Sequence, residues 1–269
     1  MWSLTVLNGD EAGRYSSASV RACPATLATM SEREDPAEQL ARLRTLVAEA
    51  TQKLLGDTIT VADQDWAGPS RLPDWSRSHV ASHLARQADG LGRLAAWAAT
   101  GQRQEMYASP AARADEIEAG AGRSGLELQV DLDTSAGRLE VAFDRLDEGG
   151  DWAREVELRG GLRVPARLLP LARLLEVVVH HVDLDVGYEF DQVEPATAEW
   201  LLEWCAFRLR HRDEFLRLEL HTSSGTITVG SAGAPIPIRG ESPALLGWLL
   251  NRLDSSAVRG DEGLQLPSL

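Results

Sequence analysis

Leu168–Leu184 reads LLPLARLLEVVVHHVDL, an almost unbroken apolar run of helical length. Glu176 and His180 lie four residues apart within it, so a helix presents both side chains on one face. A carboxylate among leucines and valines is costly unless something pairs with it. A divalent metal is one such partner, and a glutamate with a histidine is half of a common zinc site.

A second segment offers further imidazoles. Trp75–Leu84 reads WSRSHVASHL and places His79 and His83 four residues apart, so four of the six histidines fall in the two segments. The spacing alone also fits ordinary structural roles. Glu176 is then paired with a nearby arginine such as Arg173, and the histidines are satisfied by backbone carbonyls or water. Both readings stay open at this point because each motif is short.

Composition excludes several classes of protein. The chain has 269 residues, 43% of them apolar, which is enough for a core. A net charge of -14 argues against nucleic acid or an anionic membrane as partner, since phosphate requires a basic surface. Cys23 and Cys205 form no CxxC pair, so neither a disulfide framework nor a cysteine zinc site is expected. No apolar run of about 18 residues is present, so no membrane-spanning helix is expected. We expect the protein to be cytoplasmic and monomeric.

The pattern along the chain predicts three regions. Residues 1–29 lack periodicity and are predicted to be a disordered extension, with Met30 as a second possible start. Residues 30–194 are predicted to form a helical bundle, and 195–269 a small α+β domain. The predicted helices cover Pro36–Leu55, the stretch from Ser76 to Gly101, Ser109–Ile117, 125–147, the Glu176 segment, 196–211 and Pro243–Leu253. The predicted strands are 216–221 and 226–229, with a glycine turn at Gly160–Gly161 and a loop at Pro235 and Pro237.

The motifs together resemble a known family. The residues that carry the resemblance are Asp74–Ala85 (DWSRSHVASHLA), Met106–Arg113 (MYASPAAR), Glu176–Leu184 (EVVVHHVDL) and, more loosely, Leu246–Arg252 (LGWLLNR). They are similar to the mycothiol-dependent maleylpyruvate isomerases, a branch of the DinB-like metalloenzyme superfamily. The resemblance extends from about residue 35 to the end. It implies a mainly α fold, a DinB-like four-helix bundle followed by a sterol-carrier-like α+β domain.

The resemblance also implies a site. The metal ligands of the family fall on His83, Glu176 and His180, and leave His79 and His181 out. Two histidines and a glutamate leave a zinc position open for catalysis, although the same donors accept nickel, cobalt or iron. The expected cofactors are a divalent metal, with zinc favoured, and mycothiol as the thiol cosubstrate.

The family's arginine falls on Arg252, the expected catalytic residue. It would hold a carboxylate of the small dicarboxylate substrate. The sequence departs from the family here, because Asn251 replaces the usual glycine, and Arg259 is a less favoured substitute.

Three functions fit these residues. The favoured one is thiol-dependent cis–trans isomerisation of maleylpyruvate to fumarylpyruvate with a zinc-activated thiolate. The second is a thiol S-transferase on the same scaffold, which would consume the thiol where an isomerase regenerates it. The third is a non-enzymatic ligand-binding protein that lacks bound metal.

Overall fold

The computed structural model describes residues 35–210, 215–260, 263, 264 and 266. The predicted disorder of residues 1–29 lies outside the described residues. The chain divides between Tyr188 and Glu189 into two compact units. We call them the helical unit, residues 35–188, and the C-terminal unit, which begins at Glu189. The sequence predicts a domain boundary after residue 194. A division into compact units does not show where independent domains begin, so that boundary stays a prediction.

Local capping sets the helix starts in the helical unit. The side chains of Asp35, Ser76, Ser109 and Ser124 each accept a hydrogen bond from a backbone N–H of the first turn. Gly101 ends the second helix with a left-handed φ of 78°, as its glycine predicted. The α-helices described in this unit are α1 Pro36–Thr58, α2 Arg77–Thr100, α3 Pro110–Ala121, α4 Gly125–Gly149 and α5 Leu169–Asp183.

Four of these helices close into a bundle. Helix α2 packs against α4 and α5, and α1 packs against α5 and α4, while the shorter α3 lies on α2. Helix α5 is buried at every position except Glu176, which explains its nearly continuous apolar sequence. The predicted helical bundle is confirmed, and Glu176 is the one residue of its most buried helix that keeps access to solvent.

A short hairpin connects α4 to α5. Strands β1 Glu155–Glu157 and β2 Arg163–Pro165 pair antiparallel, with Val156 opposite Val164 and both side chains buried. Gly160 and Gly161 have φ values of 89° and 86°, which glycine adopts without strain. The predicted glycine turn at Gly160–Gly161 is confirmed.

The C-terminal unit has the predicted α+β character. Its described elements are α6 Pro195–Leu209, β3 Leu216–His221, β4 Thr226–Val229, β5 Ala232–Arg239 and α7 Ser242–Leu249. The sheet order is β4-β3-β5, with β3 antiparallel to β4 and parallel to β5. Helix α6 packs against α7 and β4. The two predicted strands, 216–221 and 226–229, are confirmed, and they pair as a hairpin.

The prediction of a loop at Pro235 and Pro237 is wrong. Both prolines lie in β5, which pairs with β3. Proline lacks the N–H that a central strand needs, but β5 lies at the sheet edge in the described residues, where one side of the backbone has no strand to bond. The edge position, which sequence cannot reveal, makes these prolines compatible with a strand.

The last helix ends earlier than predicted. Helix α7 stops at Leu249 rather than Leu253, because Asn251 takes a left-handed φ of 59°. The backbone N–H groups of Asn251 and Arg252 turn back to the helix carbonyls in the pattern of a Schellman motif. These hydrogen bonds run from Asn251 N to Trp248 O, 2.9 Å, and from Arg252 N to Gly247 O, 2.8 Å.

Candidate metal centre

The bundle brings His83, Glu176 and His180 together. His83 lies on α2, and Glu176 and His180 lie one turn apart on α5, which packs against α2. His83 Nε2 is 3.0 Å from Glu176 Oε2 and 3.1 Å from His180 Nε2. His180 Nε2 is 3.3 Å from Glu176 Oε2. Three potential ligand atoms therefore face one point.

These separations fit a metal ion. Donors that each stand about 2.0 to 2.1 Å from a tetrahedral zinc are about 3.3 to 3.4 Å apart. The three atoms are potential ligands that lie within 4.8 Å of one another, and two of them are imidazole nitrogens, which favour a transition metal. The side chains of His83 and His180 are 4% and 0% exposed, but that of Glu176 is 16% exposed. A small molecule therefore has its access at the carboxylate.

The charges of the cluster are strongly coupled. Burial lowers the pKa of His83 to about 4, although Glu176 opposes that shift. Burial alone would raise the pKa of the Glu176 carboxyl, but hydrogen bonds from His180 and His83 outweigh it and hold that pKa well below its usual range. Burial also disfavours charge on His180, yet Asp183 and Glu176 raise its pKa. Glu176 is thus an anion, ready to bind a cation.

Asp183 supports His180 from behind. Its Oδ2 is 2.9 Å from His180 Nδ1, and both side chains are fully buried. A carboxylate beside Nδ1 favours a proton on that nitrogen, so Nε2 is the atom of His180 that could serve as a metal ligand. This arrangement is the usual outer support of a metal-ligating histidine.

Arg113 contacts the other histidine. It extends from α3, is 6% exposed, and places Nη2 3.1 Å from His83 Nδ1. Its guanidinium carbon also lies 5.6 Å from the centre of the Tyr107 ring. Burial raises the pKa of Tyr107, so its hydroxyl stays protonated beside the guanidinium. His83 and His180 therefore have opposite kinds of partner on their outer nitrogens.

His79 lies outside the cluster. Its Nδ1 accepts from the backbone N–H of Ser76 in a capping box, and its Nε2 is 3.1 Å from Glu118 Oε2. The Trp75 ring stacks on His79 and meets His83 edge-on, with centroids 5.6 Å apart in the second pair. Trp75 and His79 also line a surface depression of about 630 Å³.

His181 points to a different layer of the bundle. Its Nε2 is 3.1 Å from Asp57 Oδ2 on α1, and its ring stacks on Tyr188 with centroids 4.1 Å apart. Burial lowers its pKa to about 4, against the pull of Asp57. The structure thus separates the adjacent histidines, His180 toward α2 and His181 toward α1.

The alternative partner of Glu176, Arg173, has its hydrogen bonds elsewhere. Its Nη1 donates to Leu84 O at 2.8 Å and to Gln87 Oε1 at 2.7 Å. Burial lowers the pKa of Arg173 to about 10, while the charge of Glu176 opposes that shift. Arg173 therefore influences Glu176 through its charge and ties α5 to α2.

The sequence of residues 47–185 matches the family described as the mycothiol maleylpyruvate isomerase N-terminal domain. This match spans more than half of the chain. The chain belongs to the mycothiol maleylpyruvate isomerase family. A comparison with curated proteins finds no match.

The fold of this family member is similar to two crystal structures of the mycothiol-dependent maleylpyruvate isomerase. One is 26% identical with a TM-score of 0.77, over 86% of this chain and 97% of that one. The other, a mutant with a histidine replaced by alanine, is 25% identical with the same TM-score and coverage. The suspected family and the fold class are confirmed, and the family is one of enzymes. Among the described residues, none of the helices has the length and apolarity to cross a membrane.

Arg252 lies in the C-terminal unit, directly after α7. Its Nη1 donates to Leu250 O at 2.7 Å, which satisfies a carbonyl at the helix end. Arg259 pairs with Arg239 through backbone hydrogen bonds of 2.8 Å. The left-handed φ of Asn251 is a conformation that glycine adopts freely and that asparagine tolerates better than most other residues. The role of Arg252 at the site stays a prediction.

Sequence reasoning missed two supporting residues. Asp183 had a usable signal, because it lies three residues after His180 on the same helix. Arg113 had none in its spacing, since it belongs to a separate helix and meets His83 only through packing. It does lie in the Met106–Arg113 motif that carries the family resemblance.

Proposed function

We propose that this family member catalyses the mycothiol-dependent cis–trans isomerisation of maleylpyruvate to fumarylpyruvate. The observation that carries the proposal is the convergence of His83, Glu176 and His180, in a chain whose family and solved relatives bear the name of that reaction. Their donor atoms fit a divalent metal, for which we propose zinc.

Three residues would hold the ion. His83 and His180 would bind through Nε2 and Glu176 through a carboxylate oxygen, leaving one position open. A zinc ion held there supplies a lowered thiol pKa, so that a thiolate exists at neutral pH. Asp183 keeps the proton of His180 on Nδ1, and the exposed edge of Glu176 leaves the site accessible to the thiol.

The reaction needs a nucleophile that adds and leaves again. Addition of the thiolate to the conjugated C=C bond turns it into a single bond, which can rotate before the thiolate leaves. Negative charge then develops on the carbonyl oxygen and requires a cation. We propose that Arg252 grips a carboxylate of the substrate in bidentate fashion and stabilises this charge.

The proposal is tested with metal analysis and a stoichiometric assay. Wild-type protein should contain about one zinc per chain and convert maleylpyruvate with mycothiol unconsumed. His83→Ala should lose both metal and activity, whereas the matched variant His181→Gln should keep its metal. Consumption of one thiol per turnover would indicate the S-transferase instead. Full activity in metal-free protein would refute the proposed role of the metal.

A further inference from the structure

A surface depression lies beside the candidate metal centre. Its volume of about 630 Å³ is in the range of small-molecule sites, and it is lined by the loop before α2 and by His79 on the first turn of that helix. Trp75 is part of its wall, and the same indole ring meets the His83 ring edge-on with centroids 5.6 Å apart. One aromatic ring therefore borders both the depression and the metal centre.

Hydrogen bonds hold this loop in place against α5. Ser70 N donates to Trp75 O at 3.0 Å, which closes the loop on itself, and Arg71 N donates to Asp183 O at 2.8 Å. Asp183 is the residue whose carboxylate supports the metal centre from behind. Asp74 has a left-handed φ of 64°, a conformation that aspartate keeps only where its surroundings hold it. The depression is thus formed before any ligand binds, at a set distance from the metal centre.

The polar groups of the depression suit a neutral ligand with many hydroxyl groups. Asp74 presents an exposed carboxylate, which accepts hydrogen bonds from hydroxyls and repels an anion. The charge of Arg71 is countered by Asp185, with 3.1 Å between Nε and Oδ1. The ring of Trp75 adds an aromatic surface against which the C–H groups of a sugar can pack. These charges disfavour the dicarboxylate substrate here and favour a sugar.

We infer that this depression binds the sugars of mycothiol, with the thiol end directed to the metal centre. The inference deepens the proposed function and rests on its thiol. Mycothiol is an acetylated cysteine joined through an amide to an aminosugar that carries an inositol, so its sugar end is neutral and rich in hydroxyls. With the cysteine extended, the aminosugar stands roughly 6 Å from the sulfur. This reach is similar to the 5.6 Å between the rings of Trp75 and His83.

The first test measures sugar binding without metal or catalysis. The probe is N-acetylglucosaminyl-inositol, the sugar end of mycothiol without its cysteine. Added to metal-free ¹⁵N-labelled protein, it should shift the backbone amide signals of residues 67–76. Asp74→Gly keeps the left-handed backbone but removes the carboxylate, and should weaken binding about 10-fold, as expected for one hydrogen bond to a charged group. Asp65→Ala removes an exposed carboxylate outside the depression and should bind as wild type.

The second test measures the choice of thiol. N-acetylcysteine offers the same thiol without the sugars, so wild type should prefer mycothiol in kcat/KM. Asp74→Gly should lose about 10-fold of that preference, and Asp65→Ala should retain it.

The two tests separate failure of the sugar site from failure of the proposed reaction. Equal sugar affinity in wild type and Asp74→Gly, shifts confined to other regions, or an unchanged thiol preference would overturn the inference and leave the isomerase standing. Absence of isomerisation by wild type, with sugar binding in the depression intact, would refute the proposed reaction and leave the sugar site standing.

Discussion

Replacement of Asp183 by asparagine tests whether the buried carboxylate supports the metal. Asp183 Oδ2 lies 2.9 Å from His180 Nδ1, and neither side chain is exposed. Asparagine keeps the size and removes the charge, so His180 becomes a weaker ligand and its tautomer is no longer fixed. Loss of such an outer partner reduces metal affinity about 10- to 100-fold. In free energy this is about 1.4 to 2.7 kcal/mol of zinc binding.

The assay is zinc competition with a chromophoric chelator at fixed pH and salt, and the control is Asp185→Asn. Asp185 lies two residues further on, where its half-exposed carboxylate pairs with Arg71 and Arg77. The same chemical change at the surface should alter zinc affinity less than about twofold, since exposed pairs contribute little. The reasoning is refuted if Asp183→Asn binds zinc as wild type does, or if both variants weaken equally.

Three further outcomes follow from the packing. His181 is neutral when buried, so as the pH falls from 6.5 toward 4 the unfolded chain gains a proton that the fold does not. This proton uptake should lower the unfolding free energy of metal-free wild type by about 2 kcal/mol between pH 7 and 5. Urea titrations should show a smaller decrease of the unfolding free energy in His181→Gln. Asn251→Ala should be about 1 to 2 kcal/mol less stable than Asn251→Gly by the same titration, because of the left-handed φ of 59°. A Cβ at Gly120 would stand 2.1 Å from Ser82 Oγ, so Gly120→Ala should lower stability by about 1 to 3 kcal/mol, and adding Ser82→Gly should restore most of it in thermal melts. The first prediction is contradicted if wild type and His181→Gln lose the same unfolding free energy between pH 7 and 5. The second is contradicted if Asn251→Ala and Asn251→Gly are equally stable, and the third if Ser82→Gly restores no stability to Gly120→Ala.

The local features of this fold follow from the sequence, because near neighbours in the chain decide them. Ser76 and Gly101 bound α2 through their own cap geometry. The spacing of Glu176 and His180 puts both on one face of α5 at any position in the bundle. The prolines of β5 misled the same reasoning, since their tolerance depends on a neighbouring strand rather than on adjacent residues.

The choice among histidines illustrates what only the tertiary structure decides. His79 and His83 have the same spacing logic, and His180 and His181 are adjacent, so periodicity alone left every pair possible. The packing of α2 on α5 brings His83 to a partner 93 residues away, while His79 is used in a helix cap and His181 faces α1. The contact of Arg113 with His83 arises in the same way, from the placement of α3 on α2. Spacing along a chain fixes which side chains share a face of a helix. Which face is buried, and which residues it contacts, depends on how the helices pack to remove their apolar surfaces from water.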